Sequence, residues 1–423
     1  ETGFKNIRKI EPGSYELYNL SGKLLEKQNY WSLVSIEKQK ASQKDISEEI
    51  KRSIKTHLVS DVPVGLFFSG GVDSSIILTQ TKKTILPVTI KSEQDDYRDA
   101  GMSSDYEYAK KVSSLLNIDI DEVELKNTSI SNHDFLKMVE EVAIGNEELM
   151  ADFTFQSSKT LSKKVKEKGL TVMLSGLGAD EIFGGYPRYK LIKYNDFFQI
   201  LKPFVFLFQK NKWFSKKIER FKSYFKENEF SLKYASLLGY FSKSEVELLL
   251  KNDSGILKYQ NKINILLKRV SNYSNVKKAM YLDFYGFLAH NFSVADKSSM
   301  LSSIELRVPL ATKKLYELSW PMEENDLIKY NKLKIPLRNF LLDYLPKEII
   351  DRKKAGFNAP LDKYINDLGD EKILSVYNTN GLFKIIDENT VKNIITQHYS
   401  LKSNNTYKLY QLLHLSFWFK NYS

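Results

Sequence analysis

Apolar residues in the first half of the chain follow two patterns, helical spacing and short continuous runs. In residues 42–57, Ile46, Ile50 and Ile54 recur every four residues, which predicts an amphipathic helix. Residues 64–68 are a short apolar run without polar alternation, as expected of a parallel strand buried on both faces. Further strands are predicted at 86–90, 120–125 and 170–174, separated by helical segments that include 72–82 and 106–116. The alternation predicts an α/β fold with a doubly wound parallel sheet.

The two ends of the chain have different patterns. Residues 1–35 contain two short strand-forming segments around turns rich in Pro and Gly. After Tyr189 the strand pattern stops, and helical patterns such as 276–287 and 409–419 continue to the end. The densest apolar segment, 197–208, is too short and too interrupted for a membrane span and predicts a buried helix or helical hairpin. A mostly helical C-terminal region is therefore expected.

Composition narrows the functional classes. The 423 residues suffice for two or three domains with sizeable cores. The net charge is +11, but the Lys residues are scattered, which favours an ordinary solvated surface and predicts neither a nucleic-acid nor a membrane partner. The chain has no Cys, so disulfides, a thiolate zinc site and a Cys nucleophile are excluded within these residues. Its five His lack the spacing of a His-based metal site.

The first segment with candidate chemistry is SGGVDSS at residues 69–75, between a predicted strand and a predicted helix. Glycines let the backbone approach an anion closely, and a helix N-terminus favours negative charge. Asp73 beside a phosphate requires a divalent cation between the two. The segment lacks the Gly-Lys-Ser/Thr ending of a Walker loop. Taken alone, a tight strand-to-helix turn explains it equally well.

The second segment is LSGLGADEIFGGY at residues 174–186, which also follows a predicted strand. Parallel strands end at one edge of their sheet, and ligands bind there. Asp180 is thus expected to face Asp73 and to supply a second carboxylate for Mg²⁺. Alone, this segment would be interpreted as a capped turn.

Together with VPVGLFFSGGVDSS at residues 62–75, the second segment closely resembles the synthetase domain of glutamine-hydrolysing asparagine synthetases, in the ATP-pyrophosphatase superfamily. Residues 296–309 resemble the family's D-R-M-S-M…L-E-V-R-V-P-F segment, and residues 352–357 resemble its R-x-K-x-G-F loop. The ending YQLL…W at residues 410–418 also fits. All these segments occur in the family's order.

The resemblance implies ATP and Mg²⁺ as cofactors and assigns residues to them. The β- and γ-phosphates are assigned to Ser69, Gly70, Gly71, Asp73, Ser74 and Ser75. Adenosine is assigned to the backbone near Phe68 and Ile90, with Ser175 and Gly176. Asp73 and Asp180 are the expected metal ligands.

The resemblance also implies the catalytic residues. The substrate carboxylate attacks the α-phosphate, giving an acyl-adenylate and pyrophosphate, and ammonia then forms the amide. Asp180 acts through the metal, and Lys354 neutralises charge during both steps. Glu305 is the expected acidic residue near the acceptor, where it orients or deprotonates the nucleophile. A structural ion pair with Arg307 is an equal alternative for Glu305.

The resemblance leaves the substrate open. Asparagine formation from aspartate is the default, but Leu177 replaces an acidic residue usual in asparagine synthetases, and Thr312 replaces a usual Asp. The same chemistry on another acid, such as a uronic acid of a surface polysaccharide, or on an intramolecular amide is the alternative. An inactive scaffold and a tRNA-modifying pyrophosphatase are disfavoured, the first by the retained Asp73, Asp180 and Lys354, the second because no RNA-binding module is visible.

The resemblance divides the chain at about residue 35. Residues 1–35 are similar to the last strands of the family's glutaminase domain, and residues 36–423 to its synthetase domain. An upstream glutaminase domain of the same protein is the expected partner, because it would supply ammonia from glutamine. A cytoplasmic location is expected, and a homodimer remains open.

Overall fold

The computed structural model describes residues 2–37, 41–81, 84–92, 105–125, 130–205, 215–250, 254–329, 332–351 and 361–423. The chain forms two compact units. Unit 1 comprises Glu1–Lys126, Ser157–Tyr186 and Asp283–Phe357, and unit 2 comprises Asn127–Gln156, Pro187–Leu282 and Asn358–Ser423.

The strands in chain order are β1 Ser14–Tyr18, β2 Leu24–Asn29, β3 Val64–Phe67, β4 Leu86–Ser92, β5 Asp121–Leu125, β6 Val172–Leu174 and β7 Glu305–Arg307. The α-helices are α1 Gln43–His57, α2 Val72–Thr81, α3 Asp105–Leu116, α4 Asn132–Asn146, α5 Thr154–Glu167, α6 Ala179–Phe183, α7 Pro187–Lys193, α8 Asn195–Val205, α9 Ser215–Lys226, α10 Phe230–Leu238, α11 Lys243–Leu249, α12 Ser254–Lys268, α13 Asn275–Tyr285, α14 Phe287–Met300, α15 Lys313–Ser319, α16 Glu324–Leu327, α17 Ile335–Leu341, α18 Lys347–Ile350, α19 Leu361–Leu368, α20 Asp370–Thr379, α21 Glu388–Tyr399 and α22 Thr406–Tyr422. In the part of the chain that the structure describes, 3₁₀ turns lie at Leu33–Ser35 and Leu382–Lys384.

Unit 1 contains a five-stranded parallel sheet with the order β5-β4-β3-β6-β7. The strand of this sheet that comes first in sequence, β3, is central. The chain then adds β4 and β5 on one side of β3 before it crosses to add β6 and β7 on the other side. This arrangement confirms the predicted α/β fold. The order in which the strands are added therefore reverses between β3 and β6, and ligands bind at this point in doubly wound sheets.

One strand was not predicted. The expectation that strands stop before Tyr189 is wrong at β7, which pairs in parallel with β6. This strand has three residues, two of them charged, and lies at the sheet edge. It lacks the continuous apolar run of a strand buried on both faces, and residues 304–308 instead alternate between apolar and charged side chains, the pattern of a half-buried strand.

The core of unit 1 follows the predicted apolar positions. Helix α1 begins after Ser42, whose side chain accepts a hydrogen bond from the N–H of Asp45, as in a helix cap. Its residues Ile46, Ile50 and Ile54 are all buried, which confirms the predicted amphipathic helix. A second cluster packs under β4, β5 and β6 and contains Val88, Val123, Val165, Leu170, Met173 and Ile304.

The two short strands predicted at the start of the chain are confirmed, and they form a hairpin in which β1 and β2 pair antiparallel. Several of its apolar side chains are exposed, including Leu17 and Leu25. Trp31 anchors the end of the hairpin, because its Nε1 donates to Oε1 of Glu317 at 3.3 Å and its ring packs on Phe284.

The helical second half is confirmed with two changes. The predicted helix at 276–287 is two helices, because α13 ends at Tyr285 and α14 begins at Phe287, after Gly286. In unit 2, α8 exposes Phe197 and Ile200, so the predicted burial of this segment is wrong for these side chains, and residues 206–208 lie outside the described range. Among the described helices, none is both long and apolar enough to span a membrane.

Candidate functional site

The two predicted carboxylates meet at a lysine that the sequence analysis did not single out. The Nζ of Lys334 lies 2.6 Å from Oδ2 and 2.8 Å from Oδ1 of Asp73. The same Nζ lies 2.8 Å from Oδ1 of Asp180. Asp73 follows β3 and Asp180 follows β6, so both come from the carboxyl edge of the sheet, as predicted. One buried ammonium group therefore joins the two glycine-rich loops.

Lys334 is fixed by the start of α17. It is the N-cap residue, with a left-handed backbone at φ 55, and Pro336 follows in the first turn. A non-glycine residue in this region is strained by roughly 1–3 kcal/mol, so its surroundings must hold it there. Arg338 does so: its Nε donates to the carbonyl of Leu333 at 2.8 Å, and its Nη1 donates to the carbonyl of Ile350.

The electrostatics of this contact favour the charged form of Lys334. The side chain of Lys334 is only 9% exposed. Burial by itself would lower the pKa of Lys334, but the charges of Asp180 and Asp73 outweigh this effect and raise the pKa above its ordinary value. Removal of one partner from such a buried group leaves an uncompensated charge, at a cost of about 3–5 kcal/mol.

Two glycines allow the loops to approach each other. A Cβ on Gly176 would lie 2.5 Å from Cβ of Asp73, so the second loop touches the first. A Cβ on Gly185 would lie 2.0 Å from both Oδ1 of Asp180 and Cε of Lys334. Side chains at either position are therefore incompatible with the observed contacts.

The remaining residues of the first loop form a compact turn. Gly70 has a left-handed backbone at φ 64. The Oγ atoms of Ser69 and Ser74 lie 3.3 Å apart, and the N–H of Ser75 donates to the carbonyl of Gly71 at 2.9 Å. The Oγ of Ser75 is buried and has no hydrogen-bond partner in the described part of the chain.

The residues predicted to hold adenosine lie on neighbouring strand ends. Phe68 is buried, and its N–H donates to the carbonyl of Val88 at 2.8 Å. Ile90 lies two residues beyond Val88 on β4, in the carboxyl direction. Ser175 and Gly176 follow β6, and the N–H of Leu177 donates to Oγ of Ser175 at 3.3 Å. The structure therefore gathers these residues at the same sheet edge as Asp73 and Asp180.

Glu305 has a different location. It is the first residue of β7 and is paired in register with Val172, so Arg307 and not Glu305 lies at the carboxyl end. Its carboxylate accepts a hydrogen bond from Nε of Arg307 at 2.7 Å, which lowers the pKa of Glu305. Arg307 also donates to the carbonyls of His57 and Val59. These contacts are those of a structural ion pair, and an acceptor-site role for Glu305 stays a prediction. Lys354 lies outside the described residues.

A second buried acid supports the second loop. Glu181 is 1% exposed, and its Oε1 accepts hydrogen bonds from Tyr186 Oη at 2.7 Å and from Nδ2 of Asn291 at 3.0 Å. Burial raises the pKa of Glu181 above its ordinary value, and the charge of Asp180 acts in the same direction. The sequence did not reveal this structural role of Glu181, because an acid next to Asp180 resembles a further candidate metal ligand.

The donor set fits Mg²⁺ in one respect. Mg²⁺ is usually bound by one or two carboxylates together with phosphates and water, and Asp73 and Asp180 converge as such a pair. Among the described residues no group of three or more His, Cys, Asp or Glu is arranged to hold a metal by itself. The pair is therefore suited to a metal that also binds a phosphate.

An open parallel sheet with two glycine-rich loops at its change of direction is the arrangement of nucleotide-binding α/β proteins. Residues 45–420 match the asparagine synthase family model, and the chain belongs to this family. The result confirms the resemblance noted in the sequence. Members of the asparagine synthase family use ATP.

The curated relatives are distant. The chain is 26% identical to asparagine synthetase [glutamine-hydrolyzing] 1 of Bacillus subtilis over 426 residues, covering 98% of this chain and 65% of that protein. It is 22% identical to a putative asparagine synthetase of Mycobacterium tuberculosis H37Rv, covering 99% of this chain and 64% of the relative. It is also 24% identical to amidase chry2 of Gibberella zeae, over 45% of this chain and 30% of that protein. The chain thus spans slightly less than two thirds of the first two relatives.

Proposed function

We propose that this chain catalyses ATP-dependent amide formation by adenylating a carboxylate and transferring ammonia to it. The observation that carries the proposal is the convergence of Asp73, Asp180 and Lys334 between two glycine-rich loops at the carboxyl edge of the sheet. Two acids and one buried cation at this edge suit a polyphosphate with its counterion.

In the proposed reaction the first loop and the N-terminus of α2 bind the β- and γ-phosphates. Asp73 and Asp180 would hold Mg²⁺, which would supply positive charge to neutralise the leaving pyrophosphate. An oxygen of the substrate carboxylate attacks the α-phosphorus, and the bond to the β-phosphate oxygen breaks. The nitrogen of ammonia then attacks the acyl carbon, AMP leaves, and the nitrogen loses a proton. Lys334 and Lys354 supply positive charge as the leaving groups become anionic.

Asparagine synthesis is the first candidate for the substrate, because two relatives carry that name. Amidation of another acid is the second candidate, and one residue favours it. Leu177, in the second loop, presents an apolar side chain where an acidic residue is usual. The amino group of a bound aspartate would then lack a partner, at a cost of about 1–3 kcal/mol. One relative, amidase chry2, is also named as an amidase and not as an asparagine synthetase.

We further propose that ammonia comes from glutamine through a glutaminase domain upstream in the same protein. The hairpin β1–β2 supports this, because a two-stranded sheet with exposed apolar side chains is marginally stable unless further strands cover it. The aligned relatives are also longer than this chain. Residues 1–35 would then complete the glutaminase fold, and residues 36–423 would be the synthetase domain.

The deciding experiment measures pyrophosphate release from ATP by the purified chain, with ammonia and a panel of acids that includes aspartate and uronic acids. The proposal expects release with at least one acid, dependent on Mg²⁺ and lost in Asp180→Asn. Release with aspartate alone supports asparagine synthesis, and release with a different acid supports the second candidate. No release with any acid, although ATP binds, would contradict the proposed reaction.

A further inference from the structure

The contact between Lys334 and the two carboxylates has consequences for metal binding. Its Nζ lies within 2.8 Å of oxygens of both Asp73 and Asp180. A Mg²⁺ ion bound to the same oxygens would lie at roughly 2.0–2.1 Å from each of them. The ammonium group and the metal ion therefore cannot occupy the same position between the carboxylates.

We propose that Lys334 is a placeholder cation that excludes divalent metal from the pair Asp73 and Asp180 until nucleotide phosphates bind. The proposal rests on the proposed nucleotide site and adds an order of binding to it. Without phosphate, the ammonium neutralises part of the charge of the two acids and holds them together. With phosphate, Nζ has a second anionic partner, and the metal then binds the carboxylates and the phosphates together.

Local charge explains why metal and phosphate must bind together. Two carboxylates, one ammonium group and one divalent ion carry one net positive charge, in a place where the side chain of Lys334 is 9% exposed. Uncompensated charge in such a place is unfavourable, and a phosphate group removes it. Metal alone is therefore disfavoured, whereas the metal–nucleotide complex is favoured.

The surrounding structure restricts what Lys334 does when phosphate arrives. Its backbone is held at the start of α17 by Arg338, and its Cε lies against Gly185. Movement of Nζ is thus confined to the torsions of its four-carbon side chain. The lysine is a positioning residue for the two acids before it contacts any phosphate.

The test titrates Mn²⁺ into the full chain and follows free Mn²⁺ by electron paramagnetic resonance, with and without a non-hydrolysable ATP analogue. The wild type is expected to bind Mn²⁺ at this site only with the analogue. Lys334→Met is expected to bind Mn²⁺ without nucleotide at least about tenfold more tightly than the wild type. Lys334→Met combined with Asp180→Asn should lose the gained binding, and Lys334→Arg should keep the exclusion.

Thermal unfolding shows whether the variants are folded and provides a second readout. Lys334→Met removes the cation that lies between the two facing carboxylates, so its midpoint should fall and rise again as Mn²⁺ is added. The wild-type midpoint should not depend on Mn²⁺ without nucleotide. A lysine that did not occupy the position of the metal would not produce rescue by metal.

The proposal would be overturned if a folded Lys334→Met variant bound Mn²⁺ without nucleotide no more tightly than the wild type does. Neither measurement requires turnover. A chain that releases no pyrophosphate with any acid would contradict the proposed function but would leave these titrations decisive.

Discussion

Lys334 and Asp73 are separated by 261 residues in sequence, yet the Nζ of Lys334 lies 2.6 Å from Oδ2 of Asp73. The same ammonium group contacts Asp180, so one side chain connects the loops after β3 and β6 with the start of α17. This relationship makes the site a single electrostatic unit, so a change at any one of the three residues affects the other two.

Asp73→Asn or Asp180→Asn should lower the rate of pyrophosphate release at least about 100-fold, since each removes a full charge from the proposed metal site. The measurement is pyrophosphate release with the best acid of the panel. Asp343→Asn is the matched control, because Asp343 is an exposed acid of the same unit. Turnover close to that of the wild type in either site variant would contradict the assignment of the loops.

Gly185→Ala should abolish pyrophosphate release, because its Cβ would lie 2.0 Å from Oδ1 of Asp180 and Cε of Lys334. Relief of this overlap requires the loop or the lysine to move away. The control is Gly255→Ala, whose Cβ would meet its nearest neighbour at 3.7 Å. An active Gly185→Ala would show that the contact among these three residues is not needed for catalysis.

Arg338→Lys should weaken the site although it conserves the charge. A lysine cannot bond the carbonyls of Leu333 and Ile350 in the way that the fork of Arg338 does. We expect a loss of about 1–3 kcal/mol in the free energy of unfolding, measured with urea, and a lower rate of pyrophosphate release. Arg269→Lys, at an exposed position of unit 2, should change neither quantity. Unchanged values in Arg338→Lys would mean that another contact fixes Lys334.

His414 should make stability dependent on pH. It is 1% exposed, its Nε2 lacks a hydrogen-bond partner among the described residues, and burial lowers the pKa of His414 to about 4. An unfolded His takes up a proton at its ordinary value near 6.5, so the unfolded state binds more protons between these values. Stability is therefore fully present above about pH 6.5 and falls as the pH drops toward 4.

The corresponding measurement compares urea unfolding at pH 7.5 and pH 5. The wild type should lose about 2 kcal/mol more than His414→Phe between these two pH values. His414→Gln serves if the phenylalanine variant does not fold, and His133→Gln is the exposed control. An equal loss in the wild type and in both His414 variants would show that this histidine does not titrate on unfolding in this range.

Leu177→Glu should improve aspartate as a substrate if this position sets the acid. The new carboxylate would pair with the amino group of aspartate, and kcat/KM for aspartate should rise by about 5- to 150-fold. Leu177→Gln, which has a similar shape without the charge, is the control. If the wild type forms asparagine efficiently and Leu177→Glu does not improve the rate, this position does not set the substrate. Aspartate would then be the preferred assignment.

The two glycine-rich loops show what local sequence determines. Each follows a short apolar run that becomes a strand, and parallel strands end at one edge, so Asp73 and Asp180 were predicted to converge, and they do. Ile46, Ile50 and Ile54 likewise determined the buried face of α1, because helical spacing alone places them on one side.

Tertiary structure alone decided that Lys334 is the partner of Asp73 and Asp180. Nothing near Lys334 in sequence marks it among the many lysines, and its role depends on a fold that brings residues 73, 180 and 334 within hydrogen-bonding distance. For β7 the sequence does hold a strand signal, because apolar and charged residues alternate over residues 304–308, and the fold decided only that this strand pairs with β6. Glu305 and Arg307 lie two residues apart on this strand, so their side chains share one face of the sheet and form the ion pair. Spacing along the chain determines which residues share a face, whereas contacts between distant segments depend on how the elements pack.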